Sequence, residues 1–320
     1  MSITPLAQAK QLFHGAGYYS NWTGATWTAV DGAATNAPSV GAEKVTNGNM
    51  ETGSPPTSWT VGNAAVLASQ TDERTGGAGT KSISVARNGN NFPYATQAIS
   101  ATVGKWYSVS AWVKRIDATK AYIQFDGNSS INNAASTSWA MKPVTSRATT
   151  TTPAILLLLD ATSQANGVSG RFDDVTIKEI TTADLFRSIV NSTQNVSVDV
   201  NVTITLGTQA GLVVNLDSAS SPANFVIAYH NGTNCILDKC VAGVYTNLIS
   251  AAATYSIGAT IRVVKDGTAY RLFYNNVVVG TSATVADAGI VDNKLMGLFS
   301  TYSGNSLTNF KLRNESLSAI

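Results

Sequence analysis

The sequence predicts an all-β protein made of two tandem β-sandwiches that follow an N-terminal arm. Charged residues make up only 12% of the 320 residues, against about 25% in a typical globular chain. Helix-favouring Glu, Lys and Arg are therefore scarce, whereas β-branched residues are common. Short runs that alternate with period two recur between turn signals, as in half-buried strands. The length allows about two domains.

Residues 1–42 form the predicted arm. They contain one helix-compatible stretch, residues 5–13, followed by a mixture of Gly, Ala and aromatic residues with weak periodicity. The aromatic residues are Tyr18, Tyr19, Trp22 and Trp27. We expect this arm to dock on a partner subunit, which would order it. The alternative is that these rings pack on the first domain of the same chain.

Residues 43–181 form the first predicted sandwich. Residues 81–85, 106–113 and 121–125 alternate with period two, which is typical of strands with one buried face. In the second of these runs, Tyr107, Val109, Ala111 and Val113 share one face and are predicted to enter the core. The opposite face carries Trp106 and Trp112 among serines.

Residues 182–320 form the second predicted sandwich. Residues 197–206 place Val, Ile and Leu on one face and polar residues on the other. Residues 261–265 lead through Asp266-Gly267, a favoured hairpin turn, into residues 270–274. A second turn at Asn275-Asn276 leads into residues 277–279. Consecutive hairpins of this kind indicate an antiparallel sheet.

Charge and apolar pattern exclude several classes of partner. The formal net charge is +2, and no run of basic residues is longer than Lys114-Arg115, so no nucleic-acid partner is expected. No apolar run approaches the roughly 20 residues of a membrane-spanning helix. The first residues lack the features of a secretory signal, so the protein is expected either to be released by another route or to have a signal that this sequence does not include.

The two cysteines, Cys235 and Cys240, admit two interpretations, a local disulfide or a pair of inert thiols. Structural zinc needs four ligands, and only His230 lies nearby in the sequence. A zinc site is therefore not expected.

Three segments of the first half resemble the galactose-binding-like jelly roll of carbohydrate-binding modules. They are residues 45–51 (Val-Thr-Asn-Gly-Asn-Met-Glu), residues 104–113 and residues 172–177 (Phe-Asp-Asp-Val-Thr-Ile). The resemblance implies a structural calcium that joins the first and last strands. Its side-chain ligands would be Glu51 and Asp174, with Asp173 as a substitute and carbonyl oxygens near Asn49 and Lys81.

The second half resembles the concanavalin A-like lectin or laminin G-type jelly roll. Residues 261–267, 275–281 and 297–300 carry this likeness. Together the two resemblances imply an all-β fold of two tandem jelly-roll sandwiches. Such tandems behind a short non-secretory arm are similar to virion proteins of tailed bacteriophages, by analogy of architecture.

No constellation for catalysis is visible in the sequence. The acids of the second half are scattered, whereas a glycosidase needs two carboxylates that face each other across a cleft. His14 and His230 are the only imidazoles, and neither is near a candidate nucleophile. Residues 76–79, which are rich in glycine, enter a strand rather than a helix, so they are interpreted as a turn.

Sugar binding remains the best-supported activity. Pyranose rings present C–H faces that dock on aromatic planes, while amides and guanidinium groups bond the hydroxyls. The aromatic candidates are Trp59, Phe92, Tyr94, Trp106, Trp112, Tyr122 and Trp139. Arg87, Asn91, Gln97 and Gln124 are their polar companions. For each aromatic residue the alternative is a place in the core.

The sequence thus favours a non-catalytic structural or adhesion protein of a phage virion, located in the tail or on the capsid. It would contact other virion subunits or its own copies through residues 1–42, and a polymeric or cell-surface glycan. An extracellular glycan-binding lectin is the second hypothesis. A glycoside-active enzyme with an unrecognised site is the third.

Overall fold

A computed structural model describes residues 10–11, 22–30, 33–71, 74, 76–77 and 79–314. Within them the chain is an all-β sandwich protein, as predicted. None of the helices in this part of the chain has the length and apolar character needed to cross a membrane.

The chain forms two compact units. One is Val40–Ile180, and the other joins Met1–Ser39 to Thr181–Ile320. We call them the inserted unit and the host unit, because the first interrupts the sequence of the second. The host unit contributes three strands before the insertion: β1 (Lys10–Gln11), β2 (Trp27–Val30) and β3 (Ala33–Asn36).

In its described residues the inserted unit contains eleven strands in two antiparallel sheets. Its strands are β4 (Val40–Glu43), β5 (Thr60–Gly62), β6 (Val66–Gln70), β7 (Ser82–Ala86), β8 (Tyr94–Ala98), β9 (Trp106–Arg115), β10 (Lys120–Phe125), β11 (Asn128–Ser129), β12 (Ala140–Arg147), β13 (Ala154–Asp160) and β14 (Ser169–Ile180). A short 3-10 helix spans Ile131–Asn133. The five-stranded sheet has the order β11-β10-β13-β8-β5, and the six-stranded sheet has the order β12-β9-β14-β7-β6, with β4 on β14.

The host unit continues after residue 180 with eleven further strands. They are β15 (Phe186–Val190), β16 (Val196–Thr203), β17 (Ala210–Leu216), β18 (Phe225–His230), β19 (Asn234–Val241), β20 (Val244–Ala252), β21 (Ala259–Asp266), β22 (Ala269–Tyr274), β23 (Val277–Thr284), β24 (Leu295–Ser300) and β25 (Ser306–Arg313). A 3-10 helix spans Thr182–Leu185 and a short helix α1 spans Ala288–Val291. One sheet has the order β2-β3-β25-β16-β21-β22-β23, with β1 on β25, and the other has the order β15-β24-β17-β18-β19-β20.

The predicted strand faces are confirmed. Tyr107, Val109, Ala111 and Val113 of β9 are buried in the core of the inserted unit, because every second side chain of a strand points to the same face. The hairpin at Asn275-Asn276 is also confirmed, and both residues have positive φ, as type I′ turns require. In the other hairpin Asp266 pairs with Ala269, so the turn consists of residues 267–268 and lies one residue later than predicted.

The N-terminal segment differs from the predicted arm. β3 pairs with β25, and β1 pairs with another part of the same strand, so Lys10–Gln11 is a strand where a helix-compatible stretch was expected. Trp27 is buried in the host core, and the ring of Trp22 packs edge-on against Phe310 at 5.1 Å. These two indoles therefore pack within the second sandwich of the same chain. Tyr18 and Tyr19 lie outside the described residues.

The two cysteines are not joined by a disulfide, and both are buried on β19. Burial raises the pKa of the Cys235 thiol to about 12, so the thiolate is not formed near neutral pH. Of the two interpretations left open by the sequence, the structure has the pair of inert thiols.

His230 lies fully buried in the host unit, between the rings of Tyr255 and Tyr274. Its Nδ1 accepts the N–H of Gly232 at 2.9 Å, and its Nε2 lies 2.9 Å from the carbonyl oxygen of Ala253. A neutral imidazole satisfies both bonds by donating from Nε2, and burial lowers its pKa. The structure therefore holds this histidine uncharged. His14 lies outside the described residues.

This arrangement predicts a loss of host-unit stability in acid. Because the folded pKa is lowered, the unfolded chain takes up the proton first, below about pH 6.5. Stability is thus complete above that pH and falls as the pH decreases. In thermal unfolding between pH 5 and 7.5 we expect His230→Gln to flatten the profile. A wild-type profile that is flat below pH 6.5 would contradict the prediction.

Candidate functional site

The outer face of the five-stranded sheet brings together two of the predicted aromatic residues. In β10, Ala121, Ile123 and Phe125 enter the core, so Tyr122 and Gln124 point to the opposite face. The same alternation places Tyr94 of β8 and Leu158 of β13 on this face, because their neighbours Ala95 and Leu157 are core residues.

Strand register aligns these side chains in one transverse row. Tyr94 pairs with Leu158, and Leu158 pairs with Tyr122. At the other end Gly62 of β5 pairs with Tyr94. A Cβ atom on Gly62 would lie 1.9 Å from the ring of Tyr94, so the ring rests on the glycine backbone. We call Gly62, Tyr94, Leu158 and Tyr122 the aromatic row.

Polar side chains flank the aromatic row on both sides. Thr96, opposite Leu156, and Gln124, on the other side of Leu156, belong to the next row. Lys120 lies opposite Asp160 in the row on the other side of the aromatic row. Successive same-face residues of a strand are about 7 Å apart, so each polar row lies about 7 Å from the aromatic row. Hydrogen-bonding groups of both kinds thus border an apolar strip.

The two tyrosines differ in accessibility. Tyr94 is half-buried, whereas Tyr122 is only 5% exposed. Burial, and to a smaller extent the negative charge of Asp160, raise the pKa of the Tyr122 hydroxyl. It therefore stays a neutral phenol. Phe92, which precedes β8 by two residues, is 43% exposed and extends the accessible aromatic surface.

A loop at the end of this sheet holds two further predicted residues. The guanidinium group of Arg87 donates to Oδ1 of Asn91 at 3.2 Å, to Oδ1 of Asn166 at 3.3 Å, and to the carbonyl oxygen of Gln164. Arg87 thus ties the loop around Asn91 to the loop after β13.

The remaining predicted residues lie elsewhere. Trp59 is buried in the core and donates from Nε1 to the carbonyl oxygen of Asn47 at 3.1 Å. Gln97 is buried and bonds the backbone of Thr46 and Ser58. Both therefore hold loops of the sandwich. Trp139 is half-buried in the loop before β12, apart from the aromatic row.

The two indoles of β9 are covered rather than open. Trp106 is buried, with the guanidinium of Arg147 5.8 Å from its ring centroid. Trp112 is half-buried beneath the guanidinium of Arg74, 4.3 Å from the ring centroid. The predicted hydroxyl surface between them is present, and Ser110 bonds Thr176 across the strands. Each indole is thus covered on one face by a guanidinium group.

The acidic residues proposed for calcium do lie close together, but each has other partners. Oε1 of Glu51 accepts the N–H groups of Thr80 and Lys81, both at 2.6 Å. Asp174 pairs with Arg74. Oδ1 of Asp173 accepts the N–H of Asp174 at 2.8 Å.

These contacts do not fit a calcium site. Arg74 already supplies positive charge at the cluster, whereas calcium requires about six to eight available oxygen ligands. In the described ranges no three His, Cys, Asp or Glu side chains are arranged to hold a metal ion. Calcium therefore stays a prediction without support from this geometry.

Asp173 is the most perturbed group of the cluster. It is only 2% exposed, and burial raises its pKa to about 7. The N–H of Asp174 and the charge of Arg74 act in the opposite direction, and the carboxylates of Asp174 and Glu51 add to the rise. The site thus contains a carboxyl group that takes up a proton near neutral pH.

Several of these residues had no signal in the sequence. Leu158 lies in a continuous apolar run, so only the register shows that it faces outward. Asp160 and Lys120 are 40 positions apart, and pairing alone makes them neighbours. Arg74 reaches Trp112 from a loop, which no pattern predicts.

No family model matches the sequence, and no curated protein matches it. Among solved structures, the carbohydrate-binding module CBM66 from Bacillus subtilis is similar over 42% of this chain and 86% of its own, at 13% identity and a TM-score of 0.34. The CBM22-1–CBM22-2 tandem of Paenibacillus barcinonensis Xyn10C is similar over 88% of this chain and 98% of its own, at 9% identity and a TM-score of 0.36. Tailspike protein 4 of bacteriophage CBA120 is similar over 43% of this chain and 21% of its own, at 14% identity and a TM-score of 0.34.

Proposed function

We propose that the protein binds glycans without catalysis, through the outer face of the five-stranded sheet of the inserted unit. The observation that carries the proposal is the aromatic row, in which a half-buried tyrosine continues into Leu158 and Tyr122. Tyr94 is the accessible ring of the row and suits the C–H face of a pyranose ring, while Leu158 and Tyr122, each 5% exposed, support it from the neighbouring strands. Thr96, Gln124, Lys120 and Asp160 supply donors and acceptors for sugar hydroxyls.

The proposal of no catalysis is supported by the state of the acidic cluster. Glycoside hydrolysis needs one carboxylate and one carboxylic acid that both reach the substrate. Glu51 and Asp174 are bonded to backbone amides and to Arg74, and Asp173 is buried. Incubation with the bound polysaccharide is expected to release no reducing ends.

Replacement of Tyr94 by alanine should weaken glycan binding by about tenfold, which corresponds to about 1.4 kcal/mol of lost aromatic contact. Affinity electrophoresis in gels containing neutral xylan, glucan, mannan or galactan measures the effect. Tyr94→Phe keeps the ring and should keep the affinity.

Tyr302→Ala is the matched control, since it removes a half-buried tyrosine from the host unit. Equal loss in Tyr94→Ala and Tyr302→Ala, or no retardation of the wild type in any gel, would refute the site. Melting temperatures of both variants separate lost binding from lost folding.

For the biological role of this glycan binding, we propose a structural or adhesion function in the virion of a tailed bacteriophage. The support is the low charge: a surface of hydroxyl and amide groups allows many copies to pack closely without strong mutual repulsion. The alternative is an extracellular lectin-like protein. A defined oligomer in light scattering favours the first role. A monomer that is retained by polysaccharide favours the second.

A further inference from the structure

A second surface with binding character lies on the host unit, on the outer face of its eight-stranded sheet. The neighbours of four basic residues in β21, β22 and β25 are core residues, which leaves the basic side chains on the opposite face. We call Arg262, Arg271, Lys311 and Arg313 the basic face. No segment of the sequence shows it, because the four residues come from positions up to 51 apart.

Strand register arranges these groups in two adjacent rows. The first row runs from Lys311 through Asp199 to Arg262 and on to Phe273. The second runs from Arg313 through Ser197 and Val264 to Arg271. Two strand spacings, about 10 Å, separate the cations of the first row, and three separate those of the second. The charges therefore form a flat array.

The carboxylates on this face do not neutralise the array. Asp199 is buried and bonded to Arg313 at 2.6 Å, and Lys311 and Arg262 are also near enough to act on its charge. Asp266, at the end of β21, accepts from Asn195 at 3.3 Å. Four cations against two carboxylates leave a formal charge of +2, as large as that of the whole chain. Arg271 is exposed and Lys311 and Arg262 are half-exposed.

A buried hydroxyl adds a second observation. Ser197 is 1% exposed, and its Oγ has no hydrogen-bond partner in the described part of the chain. It lies on the same face, between Arg313 and Val264 in the second row. A buried hydroxyl without a partner is costly, and an oxygen-bearing ligand or a water molecule at this row would satisfy it.

We propose that the basic face binds an acidic polysaccharide, meaning a glycan chain that carries carboxylate or sulfate groups. Guanidinium groups bind such planar or tetrahedral oxyanions through paired N–H donors. A flat array with cations two and three strands apart suits repeated anionic groups on an extended chain.

Charge complementarity alone would also admit nucleic acid, but the face lacks its other requirements. The one aromatic residue in the two rows, Phe273, is buried beneath the guanidinium of Arg262 at 4.5 Å, so it offers no surface on which a base could stack. Four cations are also fewer than the six to ten phosphate contacts typical of duplex binding. Binding of an acidic glycan requires neither an aromatic stacking surface nor that number of phosphate contacts.

The test measures binding of the full chain to polygalacturonate, dextran sulfate, neutral dextran and a single-stranded DNA oligonucleotide, at about 50 and 200 mM salt. The wild type should bind at least one acidic glycan and not neutral dextran. Arg271→Gln with Lys311→Gln should weaken that binding at least tenfold and reduce its salt dependence. The control, Lys44→Gln with Lys294→Gln, removes two exposed charges elsewhere and should have no effect.

Equal weakening in both double variants, equal binding of neutral dextran, or tighter binding of DNA than of either acidic glycan would overturn the proposal. Tyr94→Ala should leave acidic-glycan binding unchanged. The experiment can therefore refute the neutral-glycan proposal for the aromatic row and the acidic-glycan proposal for the basic face independently. Arg271, Lys44 and Lys294 are exposed and Lys311 is half-exposed, and unchanged melting temperatures confirm that the double variants fold.

Discussion

Replacement of Trp27 by alanine is expected to lower the free energy of unfolding of the host unit by about 3–5 kcal/mol, the usual cost of emptying a buried aromatic site. Trp27 is 6% exposed and packs in the core of the second sandwich. Its Nε1 donates to the carbonyl oxygen of Asp184 at 3.1 Å. The substitution thus removes a large buried side chain and one long-range hydrogen bond.

Hydrogen exchange of amides in β16 to β25 under increasing urea reports the host unit separately. Thr28→Ala is the matched control, since Thr28 is the exposed neighbour in the same strand, and it should cost less than about 1 kcal/mol. A loss below 1 kcal/mol for Trp27→Ala would mean that the N-terminal strands contribute nothing to this sandwich. The docking arm inferred from sequence would then regain support.

The inserted unit should become less stable as the pH rises from about 4 to 7, because of Asp173. Its folded pKa of about 7 lies above the unfolded value of about 3.9. The folded state therefore holds the proton over this interval while the unfolded chain has released it. Three pKa units set an upper limit of about 4 kcal/mol on the loss.

Asp173→Asn tests this directly. The amide oxygen can still accept the N–H of Asp174, and no charge is buried at any pH. We expect the variant to lose the pH dependence and to exceed the wild type in melting temperature at pH 8. Asp160→Asn, at a half-exposed carboxylate, should retain the wild-type slope. A variant that is less stable than the wild type at pH 8 would contradict the buried-proton explanation.

The same measurement addresses calcium. Since Arg74 already pairs with Asp174, a chelator is expected to leave the melting temperature of the inserted unit unchanged. A bound calcium ion would give the opposite result, because chelation would lower the melting temperature and added calcium would keep Asp173 ionised.

Sequence alone predicted the elements whose pattern is local. The alternation of β9 and the turn at Asn275-Asn276 are both present, because pleating and positive φ depend on neighbouring residues. The N-terminal segment was mispredicted for the opposite reason. β3 pairs with β25, about 270 positions away, and no local pattern encodes a pairing over that distance.

The candidate sites show the same contrast between local sequence patterns and long-range strand pairing. Tyr94 and Tyr122 were recognised as candidates by residue type, but only the register through Leu158 makes them one surface. The basic residues looked scattered, and Arg262 and Lys311 become members of one array only through β16 between them. Trp59 was a candidate because of its type, although its burial makes it a structural residue.

The insertion has a consequence for biosynthesis. Val40 pairs with Ile180, and Thr181 donates to the carbonyl oxygen of Ser39 at 2.9 Å, so the chain enters and leaves the inserted unit at neighbouring points. During translation that unit can close as soon as residue 180 has left the ribosome. β3 must wait until its partner β25 has been made. The host unit thus acquires its full core only after residue 313 has left the ribosome, and a product truncated before β25 would lack a strand that pairs beside Trp27.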